Sequence, residues 1–354
     1  MQVSDFDFEL PDELIAQEPP AERGTSRLLH LDRTSGAIAH RSMLDLPALL
    51  SPGDLLVVNN TRVFPARLLG RRHPSGGAVE CLLVSRLDGP DAAGVEHWEA
   101  LVHPGQKLKP GAGVVFEGSA PPLHGEIVER RFSGRRVVRL WTPDGTPVQS
   151  AVDAIGHIPL PPYIHRPDTD ADRERYQTVF ASARGSIAAP TAGLHFTSSI
   201  LEALKARGIE RIEVTLHVGY GTFQPIRVDT VEEHRMAAEE FEIDERAATA
   251  INAALDDRRR VIAVGTTTTR TLESVARANG GRIAAGRGTT DLFIYPGFEF
   301  RVLGGLLTNF HLPQSSLLML VSAFAGREQV LRAYAAAVAQ RYRFYSYGDG
   351  MVSL

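Results

Sequence analysis

The feature that most constrains the fold is a break in texture. Across residues 62–150 nothing shows helical spacing, and short β-rich runs recur between glycines and prolines. They fall at 79–84, 98–102, 114–116, 123–128 and 136–141. Several short strands at this spacing predict a small barrel or sandwich. The flanking sequence reads differently. Residues 27–41 have a strand-turn-strand pattern around Asp32 and Gly36, and 54–59 is a buried strand. From about Ile158 helices and strands alternate. A helix over 198–207 stops at Gly208, and a strand follows over 209–218. Asp244 caps an amphipathic helix over 244–259, which leads to a buried strand at 261–264. The run 290–295 precedes helices at 315–324 and 328–340. The expected class is α/β, with a discontinuous α/β domain from 1–61 and 151–354 and an inserted small β domain, barrel or sandwich, at 62–150. A chain of 354 residues suffices for two domains.

Charge follows the same division. The net charge of −4 argues against a generally sticky nucleic-acid binder. Residues 62–150 hold 12 Lys/Arg and 9 Asp/Glu, a local +3 that leaves −7 elsewhere. Arg67, Arg71, Arg72, Lys107, Lys109, Arg130, Arg131, Arg135, Arg136 and Arg139 supply it. Such a face suits an RNA read locally, or arginines that block aggregation at strand edges. Cys81 is the only cysteine, which excludes an intramolecular disulfide and thiolate clusters and fits a reducing cytoplasm. The N-terminus has no basic segment followed by an apolar run, so no signal peptide is expected. The longest apolar stretch, 317–325, is far short of the roughly 20 residues of a membrane span.

Three segments have the same chemical character, namely GSIAAPTAGLHF at 185–196, LHVGYGTFQP at 216–225 and TNFHLP at 308–313. Each sets a histidine among glycine, threonine, asparagine or proline. Small residues let backbone approach a ligand closely, and Thr191 and His195 supply polar groups in the first segment. Loops of one kind predict convergence on one pocket. His195, His217, His234 and His311 suit acid–base work near neutral pH, or hydrogen bonds that fix their own loops. No paired His-x-His or His-x-x-x-His spacing occurs among them, so no metal is expected. At 265–270, GTTTTR links a strand to a helix. Its backbone N–H groups with Thr266 and Thr267 form an anion site, with Arg270 as a carboxylate partner, or else the threonines only cap the helix. A phosphate-binding Gly-Lys-Ser/Thr and a dinucleotide fingerprint are both missing, which disfavours ATP and NAD. The C-terminal RYRFYSYGDG at 341–350 offers aromatics for stacking on a purine or for docking into the core. By themselves the residues leave the reaction open, and a binding module without chemistry is the competing class.

Together these segments resemble the S-adenosylmethionine:tRNA ribosyltransferase-isomerase family of queuosine biosynthesis. The strings run in order over nearly the whole chain: FDFELP (6–11), SRLL (26–29), VVNNTR (57–62), GHIPLPPY (156–163), RYQTVF (175–180), AAPTAGLHF (188–196), HVGYGTFQP (217–225), TNFHLP (308–313) and the stretch 342–350. The resemblance implies that ribose from S-adenosylmethionine is transferred and isomerised. The acceptor is 7-aminomethyl-7-deazaguanine at the wobble position of tRNA, and the products are epoxyqueuosine-tRNA, adenine and methionine. It implies S-adenosylmethionine as co-substrate, no bound cofactor, no metal, no membrane, a cytoplasmic location and an α/β domain with an inserted barrel. A monomer is expected. Another S-adenosylmethionine-dependent RNA-modifying transferase, or a tRNA-binding module, is the alternative.

The resemblance also nominates residues. The sulfonium acidifies the ribose 5′ hydrogens, and His195, His217 and His311 are candidate bases, with Glu239 next in line. His195 is favoured for its small-residue surroundings. Asn60, Arg62, Asn309 and Asp349 are expected to position substrate. Thr191, Gly193, Gly219, Gly221, Thr222, Gln224, His234, Thr266, Thr267, Arg270 and Tyr347 complete the expected substrate-binding set. One departure stands out. The family usually shows His-x-Met-His followed by an acidic residue, whereas here Ala237 replaces the second histidine between His234 and Glu239.

Overall fold

The computed structural model describes residues 1–116, 118, 122–131, 134–219, 221 and 226–354. Among them β1 (Arg27–Leu31) and β2 (Ile38–Ser42) form the expected hairpin, followed by α1 (Leu46–Leu49), β3 (Leu55–Asn59) and β4 (Thr61–Val63). The β-rich part supplies β5 (Arg67–His73), β6 (Ala78–Arg86), β7 (Glu96–His103), β8 (Gly113–Phe116), β9 (Leu123–Arg130) and β10 (Arg135–Trp141). Next come α2 (Val148–Ile155), α3 (Asp172–Arg175), β11 (Ala183–Ser186), α4 (Ser198–Ala206), β12 (Glu210–Leu216), β13 (Glu239–Ile243) and α5 (Glu245–Asp256). The chain ends with β14 (Val261–Val264), α6 (Thr266–Ala278), β15 (Gly286–Thr290), β16 (Leu303–Asn309), α7 (Ser316–Ala325), α8 (Arg327–Ala339) and β17 (Gly350–Ser353).

Nine strands make one sheet in the order β15-β13-β12-β3-β14-β16-β17-β1-β2. Its centre, β12-β3-β14-β16, is parallel. β3 reads Leu-Leu-Val-Val-Asn and is buried throughout, as a parallel strand covered on both faces requires. Alternation decides which layer each residue meets. Leu55 and Val57 pack with Ile251 of α5, Leu272 of α6 and Leu318 of α7. Leu56 and Val58 pack with Leu46 of α1 and with Ile200 and Leu204 of α4. Each such side chain contributes about 1.5–3 kcal/mol by leaving water. The Asp244 carboxylate accepts the Ala247 N–H at 2.6 Å, so the expected N-cap of α5 is present.

The six strands β10-β7-β6-β5-β8-β9 close into an antiparallel barrel. Leu68, Cys81, Leu83, Ala100, Phe116 and Leu140 fill its interior, and Val148, Ala151 and Val152 of α2 join that core. The fold is therefore mixed α/β with a closed six-strand barrel. Of the expected basic face, Arg136 drops out. It is 4% exposed, and its guanidinium donates to the carbonyls of Gly105, Leu108, Gly134 and Arg135. Among the described residues no helix is long and apolar enough to cross a membrane.

Candidate functional site: two clefts with a shared wall

β14 passes into α6 through Gly265, whose φ of 90° needs glycine. The Gly265 N–H donates to the Leu307 carbonyl at 2.8 Å, which ties the turn to β16. The threonines that follow do not cap the helix. Thr268, Thr269 and Thr271 donate their hydroxyls back to the carbonyls of Val264, Gly265 and Thr267 at 2.7, 3.2 and 3.0 Å. α6 has no side-chain cap, and the N–H groups of Thr266, Thr267 and Thr268 have no acceptor among the described residues. Thr266 and Thr267 line a cleft of about 550 Å³ beyond the carboxyl ends of β14 and β16, where ligands of open α/β sheets bind. Its other walls come from Thr191, Asn309, His311, Tyr163 and Tyr345. His311 Nε2 bonds Thr308 Oγ1 at 2.9 Å, and its backbone N–H donates to the Tyr334 hydroxyl at 3.0 Å. Burial pushes the His311 pKa down to about 3. Gln314 and Tyr345, also in the lining, have φ of 56° and 74°. Left-handed backbone at non-glycine residues costs energy and concentrates at ligand sites.

A second groove of about 560 Å³ runs between the barrel and the far end of β12. Arg86, Trp98 and Arg135 face His217, Gly219, Gly221 and Glu239 across it, and Val218 lines both spaces. His217 Nδ1 bonds Thr61 Oγ1 at 2.8 Å. Its ring lies over Gly185, where any Cβ would come within 2.8 Å of it. Burial lowers the His217 pKa, against the opposing pull of Glu240 and Glu242. Glu239 accepts the Gly219 N–H at 3.0 Å and pairs with Arg270 at 2.5 Å. The expected convergence on one pocket is thus corrected: His311 and His217 occupy two adjoining spaces.

Several expected roles change with the geometry. Arg270 is 2% exposed, and its guanidinium also donates to the carbonyls of Leu292 and Thr290, so it is held by protein rather than presented to a ligand. His195 borders a separate space of about 20 Å³, room for one water and not for a sulfonium. Its Nδ1 bonds Ser26 Oγ at 3.0 Å, and burial lowers its pKa to about 4, with Asp349 opposing and Arg23 adding. Gly193 serves packing, since a Cβ there would sit 2.7 Å from the Thr178 methyl group. Asn60 ties β3 to β12, donating to Glu213 at 3.2 Å and accepting from Thr215 at 2.7 Å. Arg62 is exposed on β4 beside Arg184 and lines neither cleft.

Of the C-terminal aromatics, Tyr345 lines the first cleft, and Phe344 and Tyr347 dock in the core. Tyr347 is buried, its hydroxyl donating to Asp172 at 2.9 Å. Asp349 accepts from the N–H of Arg27 at 2.9 Å and of Arg343 at 2.8 Å, and it pairs with the Arg27 guanidinium. His234 meets Phe293 edge-on at 4.9 Å, outside both linings. Ala237 lines the groove against Gly221, whose added Cβ would lie 2.8 Å from the Ala237 Cβ. Thr222 and Gln224 fall outside the described residues. Thr191, Thr266, Thr267, Asn309 and His311 do meet in the first cleft, and His217, Gly219, Gly221 and Glu239 meet in the second. Among the described residues no cluster of three His, Cys, Asp or Glu could hold a metal ion.

Sequence reasoning passed over Asn59, Tyr163 and Gln314, and it reached Tyr345 only as part of the aromatic stretch 341–350. Asn59 is buried, accepts the N–H groups of Thr61 and Leu216 at 3.1 Å each, and donates to the Leu216 carbonyl at 2.9 Å. It closes the ends of β3 and β12 beneath the site. The Asn59-Asn60 doublet was its only local signal. Tyr163 and Tyr345 come together from residues 182 apart in sequence, their ring centroids 3.9 Å apart, which no local pattern announces.

Comparison with known proteins places this geometry. A profile described as queuosine biosynthesis protein matches residues 3–352. An S-adenosylmethionine:tRNA ribosyltransferase-isomerase of Heliobacterium modesticaldum is 53% identical over 354 residues, covering 99% of each chain. A protein of the same name from Desulfitobacterium hafniense is 51% identical, with full coverage of both chains. A crystal structure of an S-adenosylmethionine tRNA ribosyltransferase from Thermotoga maritima is 36% identical with a TM-score of 0.55, covering 99% of this chain and all of that one. Matches of this extent, which take in the barrel and both clefts, show that the chain belongs to the queuosine biosynthesis protein family.

Proposed function

We propose that this protein is an S-adenosylmethionine:tRNA ribosyltransferase-isomerase. It transfers and isomerises the ribose of S-adenosylmethionine onto 7-aminomethyl-7-deazaguanine in tRNA and releases adenine and methionine. The observation that carries this reading is the pair of clefts with Val218 as common wall. Group transfer from a small donor to a macromolecule needs two sites that touch. The first cleft, about 550 Å³, lies within the roughly 300–1,000 Å³ of small-ligand sites and is assigned to the donor. The second is open along the barrel and contains Arg86, Arg135 and Arg184, and it is assigned to the nucleic acid. The names of the relatives support the assignment.

On this reading S-adenosylmethionine is consumed as co-substrate, and the chain acts in the cytoplasm as a monomer. Residues 62–150 form one domain, and 1–61 with 151–354 form the other. His217 is the candidate base for the ribose 5′ proton. His311, with a pKa near 3, is too weakly basic near neutrality and is assigned to hydrogen bonding with the donor. The deciding experiment measures adenine released from S-adenosylmethionine with tRNA that does or does not carry the deazaguanine precursor. Release only with the precursor is expected. Methyl transfer to tRNA, or binding of both substrates without turnover, refutes the reading in favour of another transferase or a binding module. His217→Ala should lower the rate about 10²–10⁴-fold with both substrates still bound.

A further inference from the structure

We infer that the first cleft holds the α-amino-carboxylate end of its ligand at the junction of α6 and β16, with Asn309 Oδ1 as acceptor for the ammonium group. The inference rests on the proposed use of S-adenosylmethionine as donor. Two independent observations meet at this spot. The first turn of α6, a helix of 13 residues, brings Thr266 and Thr267 to the cleft with backbone N–H groups that have no acceptor among the described residues. An uncapped helix N-terminus of this kind receives a carboxylate. The second observation is Asn309, which is 2% exposed and lines the same cleft. Its Nδ2 donates to the Tyr345 carbonyl at 3.0 Å, and its Oδ1 has no partner among the described residues.

The amide cannot be turned over to escape this. A carbonyl only accepts, so Nδ2 must face Tyr345 and Oδ1 must face elsewhere. A buried amide oxygen without a donor is unfavourable, and a ligand that supplies the donor removes the penalty. An anion cannot do so, whereas an ammonium can.

Spacing and charge agree. Val264 pairs with Leu307, and the Gly265 N–H reaches the Leu307 carbonyl, so the start of α6 lies beside Thr308 and Asn309. Neighbouring strands stand about 4.8 Å apart. An α-amino acid carries its carboxylate and ammonium on one carbon, so neighbouring partners on α6 and β16 can take one charge each. The described lining of the cleft contains no Asp, Glu, Lys or Arg. Recognition of a zwitterion therefore falls to helix N–H groups on one side and a neutral acceptor on the other.

Calorimetric titration of the full chain without tRNA tests this, because it does not depend on turnover. The probes are S-adenosylmethionine, its deamino analogue, and 5′-methylthioadenosine, which lacks the amino-acid end. Asn309→Ala should weaken S-adenosylmethionine about ten- to hundredfold and change methylthioadenosine by less than about twofold. The deamino analogue should bind the unaltered protein with a similar loss and lose nothing more in the variant. Equal losses for S-adenosylmethionine and methylthioadenosine would assign Asn309 to the adenine amino group and overturn the inference. If Asn309→Ala fails to fold, the ligand-side comparison decides alone: full affinity of the deamino analogue for the unaltered protein overturns it. Failure of the unaltered protein to bind S-adenosylmethionine at all would instead remove the donor reading beneath it.

Discussion

The Arg270–Glu239 pair sets the chemistry at the scale of single residues. Both side chains are 3–4% exposed and 2.5 Å apart. In such a dry setting, removal of one partner strands the other charge at a cost of about 3–5 kcal/mol. Arg270→Met should therefore lower the urea midpoint strongly, with any loss of ligand affinity secondary. An unchanged midpoint would show that the pair contributes nothing to folding. The buried histidines make stability depend on pH. Burial lowers His195 to about 4 and His311 to about 3 from the ordinary 6.5. Between pH 6.5 and the folded values the unfolded chain binds protons at both rings while the folded chain does not. Their neutral burial is thus fully tolerated above pH 6.5, and stability is lost progressively as pH falls from 6.5 to the folded values. Urea midpoints at pH 7 and pH 5 should show the drop, and His195→Gln with His311→Gln should shrink it. A drop of the same size in that double variant would place the titration elsewhere.

At the scale of elements the barrel is the informative unit. Arg131 and Arg135 both pair with Glu99, and Arg136 is internal, whereas Arg130 is exposed at the end of β9. Arg130→Gln combined with Arg131→Gln should reduce the salt slope of tRNA binding by about 1–2, near one for each phosphate no longer neutralised. Arg136→Gln should instead loosen the barrel, because the carbonyls of Gly105, Leu108, Gly134 and Arg135 lose their common donor. An unchanged slope in the first variant would leave these arginines as edge protection. Cys81 offers a direct report on barrel opening. It is buried in the barrel core, and burial raises its thiol pKa to about 12. A native-state thiol of this kind reacts only when the structure opens.

Cys81 also tests the arrangement of the whole molecule. The two proposed sites lie against different layers, the donor cleft in the α/β part and the nucleic-acid groove along the barrel. tRNA should then slow Cys81 labelling, and S-adenosylmethionine should not. The small molecule should still stabilise the chain overall, by about 2.7 kcal/mol at a concentration one hundred times its Kd. Protection of Cys81 by S-adenosylmethionine alone would mean that the donor cleft and the barrel open as one unit.

What the sequence determined by itself was local in origin. Recurrent β-rich runs announced a small barrel or sandwich, the Leu-Leu-Val-Val run announced the buried strand β3, and Asp244 announced the start of α5. Each is written in side-chain periodicity or in one capping residue, which act within a few positions. Where local signals conflict, the strands were not legible. β16 contains Gly304 and Gly305, and β5 contains Arg67, Arg71 and Arg72, so neither resembles a strand until its neighbours supply the hydrogen bonds. The site shows the same limit. The glycine-, threonine- and histidine-bearing loops were legible as chemistry, and five of the expected residues do line the first cleft. Only tertiary structure decided that Arg270 faces Glu239, that Asp349 faces Arg27, and that His195 faces a space for one water. A side chain's partner is set by pairing between strands far apart in sequence, and residue type alone carries no record of it.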